Sequence, residues 1–220
     1  LNAIENENGF NEIHKKAAEE LKKWDFVMKA EASAPLIFEY VYLQVFYNLY
    51  ADEMGDALAS KFIANSSVSR ISTDQIWRRG AAKWTDNIKT PDKSETFNDV
   101  LLKSFTEAID SLAKELGSDV SQWQWGNKHQ LIIAHPLSKV ALIDKAFHLH
   151  RGPYAVGGSF HTVSPFSYSF TKPFMSDHGA SHRHIYDLSN WDNSLTVLPT
   201  GNSGIPSSKH YCDQTDLYIH

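Results

Sequence analysis

The chain has 220 residues, of which 42% are hydrophobic and 21% charged, and its formal net charge is −5. This composition is typical of a globular protein and argues against a collagen-like, coiled-coil or wholly disordered chain. Because no run of Lys and Arg could follow a phosphate backbone, we expect no nucleic-acid partner. The single cysteine, Cys212, excludes an internal disulfide and a multi-cysteine zinc or iron–sulfur site.

The beginning of the sequence and its longest apolar region bear on targeting and membrane insertion. Residues 1–10 are acidic and polar, without the basic start and apolar stretch of a secretion signal. The apolar region Leu36–Tyr50 is interrupted by Glu39 and Gln44 and is too short to cross a bilayer. We therefore predict a buried core helix there and no membrane span.

Composition changes along the chain at His129. Residues 1–128 hold all 11 glutamates and 15 of the 21 Lys and Arg residues. Residues 129–220 hold no glutamate, 10 of the 11 histidines and 6 of the 8 prolines. Glu and Lys favour helices, whereas Pro, Gly, Ser and aromatic residues favour strands and turns. The sequence therefore predicts an α+β protein, with a mainly helical segment at 1–128 and a β-rich, loop-rich segment at 129–220.

The helical segment shows apolar residues at helical spacing. A stripe from Phe10 to Trp24 predicts a first helix, and Phe97–Leu116 predicts another with one apolar face. The remaining helix signals are the cap predicted at Ser33 with Pro35 in the first turn, the capping-box pair Thr96 and Asp99, the terminating Gly117, and shorter helices at Asp52–Ile63 and Thr73–Trp84.

The second segment has the features of short strands and turns. His129–His135 predicts a strand that Pro136 stops, and Leu195–Leu198 predicts another. Ala180–Leu188 alternates, which would place His182, His184 and Tyr186 on one face of a strand. Thr200–Ser208 has the composition of a turn throughout.

Histidines supply the candidate metal ligands. His178, His182 and His184 lie near Asp177, and His148 and His150 form a His-x-His pair that would share one face of a strand. No Cys/His set or His-Glu-x-x-His spacing accompanies them, so the favoured interpretation is packing or hydrogen bonding. We predict no specific metal binding at His178, His182 and His184.

Nucleophile motifs are incomplete. Gly201-Asn202-Ser203-Gly204 is one residue short of Gly-x-Ser-x-Gly, and Gly157-Gly158-Ser159 lacks the third glycine of a dinucleotide fingerprint. Both favour tight turns. Cys212 has no identifiable base beside it, and Asn65-Ser66-Ser67 fits the glycosylation sequon, which is common by chance.

Several ordered motifs resemble those of the penicillin acylase (penicillin amidase) family. Two of them are similar to the family's Trp-Gly-x-x-His…His-Pro-Leu segment and to its Gly-Pro-x-x-Val-Gly-Gly stretch. A third resembles its long Ala-Ser-x-Arg…Asp-Leu…Asp-Asn-Ser…Leu-Pro-x-Gly-Gln-Ser-Gly…His-Tyr-x-Asp-Gln run. The residues that carry these similarities are Trp125–His129, His135–Leu137, Gly152–Gly158, Gly179–Leu188, Trp191–Ser194, Leu198–Gly204 and His210–Gln214.

The departures from the family pattern are few. Trp24-Asp25 resembles the family's Trp-Asp-Gly helix end, with Phe26 in place of the glycine. Asn202 replaces a common Gln, and Cys212 replaces a common acidic residue. None of these positions is catalytic in the family.

The resemblance implies the C-terminal portion of the β-subunit of an N-terminal-nucleophile hydrolase, a fragment of the four-layer αββα fold. Such a precursor cuts itself and exposes a Ser, which attacks a linear amide with its own α-amino group as base. In the family these groups and the calcium ligands lie upstream of the matching part. The resemblance therefore assigns no catalytic, cofactor-binding or metal residue to this chain. Because the Leu1 side chain is no nucleophile, we expect the isolated chain to be inactive.

The resemblance also implies the partners. They are the remainder of the chain's own precursor, namely the α-subunit and the N-terminal part of the β-subunit, and a small acyl-amide substrate. It implies a periplasmic or extracellular location, and it leaves the acyl and amine specificity open. The alternatives are a histidine-rich metal-binding domain and a non-enzymatic binding module on the same scaffold.

Overall fold

A computed structural model describes residues 2–5 and 7–220, so Leu1 lies outside the described residues. The chain forms two compact units. The first extends to Trp125 and includes Ser169–Pro173, and the second comprises Gly126–Tyr168 and Phe174–His220. About half of the described residues are helical and the sheets are small, so the α+β prediction is confirmed. That both units belong to a single β-subunit domain stays a prediction.

The first unit is built from helices. No helix among the described residues has a stretch long and apolar enough to span a membrane. The helices of this unit are α1 (Asn2–Glu5), α2 (Glu12–Lys23), α3 (Ser33–Met54), α4 (Asp56–Ala64), α5 (Ser66–Arg79), α6 (Ala82–Thr85) and α7 (Phe97–Leu116), followed by a 3-10 turn at Val120–Gln122.

Helix α7 has the ends that the sequence predicts. The Thr96 hydroxyl accepts a hydrogen bond from the Asp99 N–H, and the Asp99 carboxylate accepts one from the Thr96 N–H. The Thr96 hydroxyl also donates to the Asp99 carboxylate at 2.6 Å, and this bond, together with the one from the Thr96 N–H, lowers the pKa of Asp99. Gly117 ends the helix with a φ of 87°, and its N–H donates to the Ala113 carbonyl. The capping box is therefore confirmed, with Asp as its acidic member.

Three of the predicted helices have wrong boundaries. Ser33 is not the cap of α3 but its first residue, because Pro35 is tolerated anywhere in the first turn, where N–H groups need no helical partner. The helix predicted at 52–63 is divided at Gly55, with a φ of 71°, so that α3 continues to Met54. The helix predicted at 73–84 begins earlier, at Ser66, and stops before Gly80, which has a left-handed φ of 60°.

The core of the first unit lies around α3, which is buried on most sides as predicted. Leu36, Ile37, Phe46 and Leu49 of this helix are fully buried. Polar side chains of α3 bond to α7 beside this core: Tyr40 donates to Glu115 at 2.6 Å, Gln44 donates to Glu107 at 2.9 Å, and Asn48 donates to Ser104 at 2.9 Å. Such bonds fix the register of two helices that apolar packing alone would leave free to slide.

Phe26 holds a backbone conformation that favours glycine, the residue at this point of the family pattern. Its φ is 61°. Its side chain is 72% exposed, and its ring centroid lies 5.3 Å from that of Trp24. The turn is fixed by the Trp24 indole, which donates to the Val27 carbonyl, and by the Val27 N–H, which donates to Asp25. Because the left-handed region costs a residue with a Cβ about 1–2 kcal/mol, the turn is strained at Phe26.

We expect Phe26→Gly to exceed Phe26→Ala in free energy of unfolding by about 1 kcal/mol. Both variants lose the ring contact with Trp24, whereas only glycine relieves the left-handed strain. Urea denaturation of the two variants under identical conditions measures the difference. Equal stability, or a more stable alanine variant, would contradict the strain at this residue.

The second unit contains two small sheets. Its elements are β1 (Gln130–Ile133), a 3-10 turn (Pro136–Lys139), α8 (Ala141–Phe147), β2 (Arg151–Ala155), β3 (Ser167–Tyr168), β4 (Met175–His178), β5 (Arg183–Ile185), a 3-10 turn (Trp191–Asn193), β6 (Leu195–Val197) and α9 (Thr215–Ile219). In the first sheet the described strands have the order β2-β1-β4-β3, with β1 and β4 parallel and the other neighbours antiparallel. In the second sheet β5 pairs antiparallel with β6.

The strands of this unit are shorter than predicted. The strand predicted at 180–188 is reduced to β5, and the one predicted at 129–135 is reduced to β1. The sequence does not predict β2, because Gly152 and Pro153 disfavour strands except at an edge, and β2 is an edge strand. Val156, Phe166 and Tyr218 form a buried core cluster in this unit.

Candidate functional site

The C-terminal loop (residues 198–214) contains the end of the longest family motif and folds back on itself. The side-chain oxygen of Gln214 accepts the Leu198 N–H at 2.8 Å. A Cβ at Gly201 would overlap the His210 carbonyl oxygen, so only glycine fits where the two arms of the loop touch. Gly201 and Gln214, two residues of the motif, therefore serve to close this loop.

Ser203 and His210 lie on the two arms of this loop, and the Ser203 N–H donates to the His210 carbonyl at 3.1 Å. The His210 imidazole is bonded through Nδ1 to Asp213 at 2.7 Å. The Ser203 hydroxyl accepts the Ile205 N–H at 3.2 Å. Among the hydrogen bonds of the described residues, none joins the Ser203 hydroxyl to the His210 imidazole. A nucleophilic Ser needs such a base, so this arrangement stabilises a turn and does not activate a hydroxyl.

A groove of about 330 Å³ lies beside the C-terminal loop. Its other wall is formed by the end of β1 and by His135, whose Nδ1 accepts the Leu137 N–H at 3.1 Å. Arg151 also lines it, with the guanidinium carbon 5.3 Å from the centre of the Tyr211 ring. Cys212, which is a free, half-buried thiol, also lines the groove. The volume lies at the lower end of the range for small-ligand sites.

The three candidate histidines near Asp177 do not converge. The rings of His182 and His184 lie 5.2 Å apart. His182 is hydrogen-bonded through Nε2 to Thr196, and the His184 ring stacks on Tyr186 at 3.9 Å. His178 ends β4 with its side chain exposed. Within the described part of the chain, no group of three or more His, Cys, Asp or Glu side chains has a geometry that could hold a metal ion.

The His-x-His pair is not on a strand, which corrects the geometry predicted for it. His148 ends α8 in the left-handed conformation, with a φ of 48°, and β2 begins only at Arg151. The His150 ring is bonded through Nδ1 to the Asp144 carboxylate. The two histidines therefore do not share a strand face, although both line a cavity of about 650 Å³.

Asp187, the acidic residue of the Asp-Leu motif, organises the loop between β5 and β6. One carboxylate oxygen accepts the Ser189 hydroxyl at 2.6 Å and the Asn190 N–H at 3.2 Å. The other accepts the Asn193 amide at 3.4 Å. These donors, the Ser189 hydroxyl above all, lower the pKa of Asp187 to about 2. The carboxylate is thus ionised, and both of its oxygens accept hydrogen bonds that stabilise the loop.

Arg183, the basic residue of the Ala-Ser-x-Arg motif, is held by aromatic rings. Its guanidinium carbon lies 4.7 Å from the centre of the Tyr218 ring and 5.3 Å from that of Phe166. One terminal nitrogen donates to the Ser164 hydroxyl at 3.0 Å. The Nε atom is buried and has no hydrogen-bond acceptor among the described residues. The sequence gives no sign of this burial, and the only signal for Arg183 is its place in the family motif.

Comparisons with known proteins identify the relatives of this chain. A family model described as penicillin amidase matches residues 3–220. The acyl-homoserine lactone acylase QuiP of Pseudomonas aeruginosa is 26% identical over 93% of this chain and 26% of its own length. The penicillin acylase 2 proenzyme of Pseudomonas sp. strain SE83 is 32% identical over 50% of this chain and 14% of its own length. The chain thus spans about a quarter of the length of the acyl-homoserine lactone acylases that it matches.

Proposed function

The chain belongs to the penicillin amidase family, and we propose that it is the C-terminal part of an amidohydrolase that cleaves the linear amide bond of N-acyl substrates. The observation that carries the proposal is the family match over residues 3–220. The names of the relatives support it, because they are acylases of acyl-homoserine lactones and penicillin. Substrates of these two kinds are the first to be tested.

We assign the reacting groups to the part of the protein outside this chain. An N-terminal Ser exposed by self-cleavage would attack the amide carbonyl, its α-amino group would take the proton, and fixed N–H donors would stabilise the oxyanion. The bonding of Ser203 supports this division, because its hydroxyl is bonded to the Ile205 N–H and not to the His210 imidazole. The calcium ligands are likewise assigned to the upstream part.

The role proposed for this chain is structural within the complete enzyme. Its two units would complete the four-layer αββα fold of an N-terminal-nucleophile hydrolase, and its partner would be the remainder of the same precursor. The name of the penicillin acylase 2 proenzyme supports a precursor. The 220-residue chain on its own would then bind at most part of a substrate and would hydrolyse none.

The test compares the complete protein with the isolated 220-residue chain. Both are incubated with penicillin G and with acyl-homoserine lactones of several chain lengths, and the released amine is measured. We expect turnover by the complete protein, none by the isolated chain, and loss of turnover when the N-terminal residue of its β-subunit is replaced by alanine. The matched variant inside this chain is Ser203→Ala, for which we expect turnover to persist in the complete protein.

Two results would overturn the proposal. One is hydrolysis by the isolated chain that disappears in the Ser203→Ala variant. The other is a complete protein that folds but releases no amine from any N-acyl substrate tested.

A further inference from the structure

We propose that Arg183 and the hairpin β5–β6 form a docking surface for an apolar segment that carries an Asp or Glu side chain. The segment belongs to the part of the same protein that lies outside this chain. This inference rests on the proposed function, in which the chain is one portion of a longer precursor. It goes further by naming the surface, its anchoring residue and the chemistry of the segment that covers it.

The first step is the incomplete pairing of a half-buried cation whose Nε atom is fully buried. A guanidinium has five N–H donors and is charged at every physiological pH. Arg183 uses a donor on Ser164, while its Nε is buried without an acceptor and no carboxylate pairs with it among the described residues. The rings of Phe166 and Tyr218 attract the cation through their faces but accept no conventional hydrogen bond from Nε.

The second step is that this arrangement favours a carboxylate. A buried charge without a counter-ion is costly, and planar carboxylates match the fork of a guanidinium with two parallel hydrogen bonds. The two rings hold the guanidinium in place before a partner arrives, so little side-chain entropy remains to be lost when one binds. An acidic side chain is therefore the group that would complete this site.

The third step is the uncovered apolar face of the hairpin. Arg183 pairs with Val197 and Ile185 pairs with Leu195, so these four side chains lie on one face of the sheet. Val197 packs against the core cluster, whereas Ile185 is 67% exposed and Leu195 is 66% exposed. A cross-strand apolar pair that continues a core face and is then exposed to water indicates a covering element.

The fourth step is the identity of that element. Within the described chain β5 and β6 pair only with each other, and a two-stranded sheet is marginal by itself. The acyl-homoserine lactone acylases that match this chain are about four times as long, so an equivalent protein has ample chain to supply a cover. A segment of the same polypeptide is tethered nearby and docks at high effective concentration, unlike a second copy or a free carboxylate ligand.

A photo-crosslinking experiment on the complete protein identifies the covering segment. The photoreactive residue p-benzoylphenylalanine replaces Leu195 in one variant and Leu142, which is 79% exposed on α8, in the control. Mixing isotopically light and heavy protein separates crosslinks within one molecule from those between copies. We expect Leu195 to crosslink, within the same molecule, to a peptide upstream of this chain that contains an Asp or Glu.

A charge exchange then tests the anchor. We expect Arg183→Glu to raise the rate of protease cleavage in the loop 186–194 about tenfold, and Arg183→Lys to raise it less. Replacing the crosslinked Asp or Glu by Arg in the Arg183→Glu protein should restore most of the protection. Arg79→Glu, an exposed change on α5, is the matched control and should leave cleavage of that loop unchanged.

The outcomes are decisive in either direction. Crosslinking at Leu195 no stronger than at Leu142, crosslinks only to a second copy, or a double variant no better protected than Arg183→Glu would each overturn the proposal. Protection of the wild-type loop by small acyl carboxylates in place of the upstream segment would do the same. Neither readout requires turnover, so a protein that hydrolyses no amide would refute the proposed function and still leave this surface tested.

Discussion

Replacing Gly158 by alanine is expected to lower the free energy of unfolding of the second unit by about 3 kcal/mol or more. Gly158 has a φ of 77°, and an added Cβ would overlap the carbonyl oxygen of Ser164 and lie 2.9 Å from its carbon. That oxygen belongs to the backbone and accepts the Thr162 hydroxyl at 2.6 Å. The methyl group therefore cannot be accommodated by rotating a flexible side chain. The loop between the two residues must open.

Alanine variants of two other glycines distinguish the cost of the left-handed φ from the cost of the steric overlap. At Gly204 an added Cβ would meet nothing within 4 Å, and the backbone has no positive φ, so alanine should be neutral or stabilise by up to about 1 kcal/mol. At Gly80 the φ is 60° with nothing within 4 Å, so alanine should cost only the left-handed strain of about 1 kcal/mol. Gly158→Ala should lie well beyond both.

Hydrogen exchange of peptides from the second unit measures the effects of Gly158→Ala and Gly204→Ala, and peptides from the first unit measure that of Gly80→Ala. If Gly158→Ala costs no more than Gly80→Ala, the close approach of Ser164 to residue 158 is absent from the protein in solution. A large cost of Gly204→Ala would instead show that the C-terminal loop is more tightly packed than the structure describes.

The helices of the first unit could be predicted because their signals are local. The apolar face of Phe97–Leu116, the Thr96 and Asp99 pair and Gly117 all lie within or beside the helix that they determine. Two of the three errors fall at Gly55 and Gly80. Each glycine ends a helix through a positive φ. The apolar periodicity of the sequence continues past each glycine, so the periodicity alone does not reveal where the helix ends.

The second unit was harder to predict because its structure depends on residues far apart in the chain. The alternation over Ala180–Leu188 predicts one long strand, yet Asp187 turns the chain soon after β5 by accepting hydrogen bonds from Ser189 and Asn190. Arg183 was notable in the sequence only as part of a motif. Its guanidinium packs against the rings of Phe166 and Tyr218, which come from other parts of the chain. The residues next to Arg183 in the sequence therefore do not predict this contact.

His129, the histidine of the Trp-Gly-x-x-His motif, is expected to make the stability of the second unit strongly dependent on pH. Its side chain is fully buried, and its Nδ1–H donates to the Phe174 carbonyl at 2.7 Å. Burial lowers its pKa to about 4, although the carbonyls of Phe174 and Phe166 partly oppose the change. The ordinary value is about 6.5. The folded protein thus keeps this imidazole neutral at pH values where the unfolded chain protonates it.

The direction of the resulting pH dependence follows from proton binding. Between about pH 6.5 and pH 4 the unfolded chain binds more protons at this site than the folded chain, so acid favours unfolding. The contribution of His129 is complete above about pH 6.5 and is lost as the pH falls towards 4. At 1.36 kcal/mol for each pH unit, the loss amounts to about 3 kcal/mol.

We therefore expect the second unit to lose about 3 kcal/mol of unfolding free energy between pH 7 and pH 4 through His129 alone. Hydrogen exchange at a series of pH values, corrected for the intrinsic exchange rate, measures the total dependence, and the NMR titration of the His129 ring gives its midpoint. His129→Gln cannot titrate, so this variant should be less stable at pH 7 but should show a shallower dependence on pH. His220→Gln removes an exposed histidine and should leave the dependence unchanged. A ring titration near pH 6.5 in the folded protein, or equal pH dependence in the wild type and His129→Gln, would contradict the buried neutral imidazole.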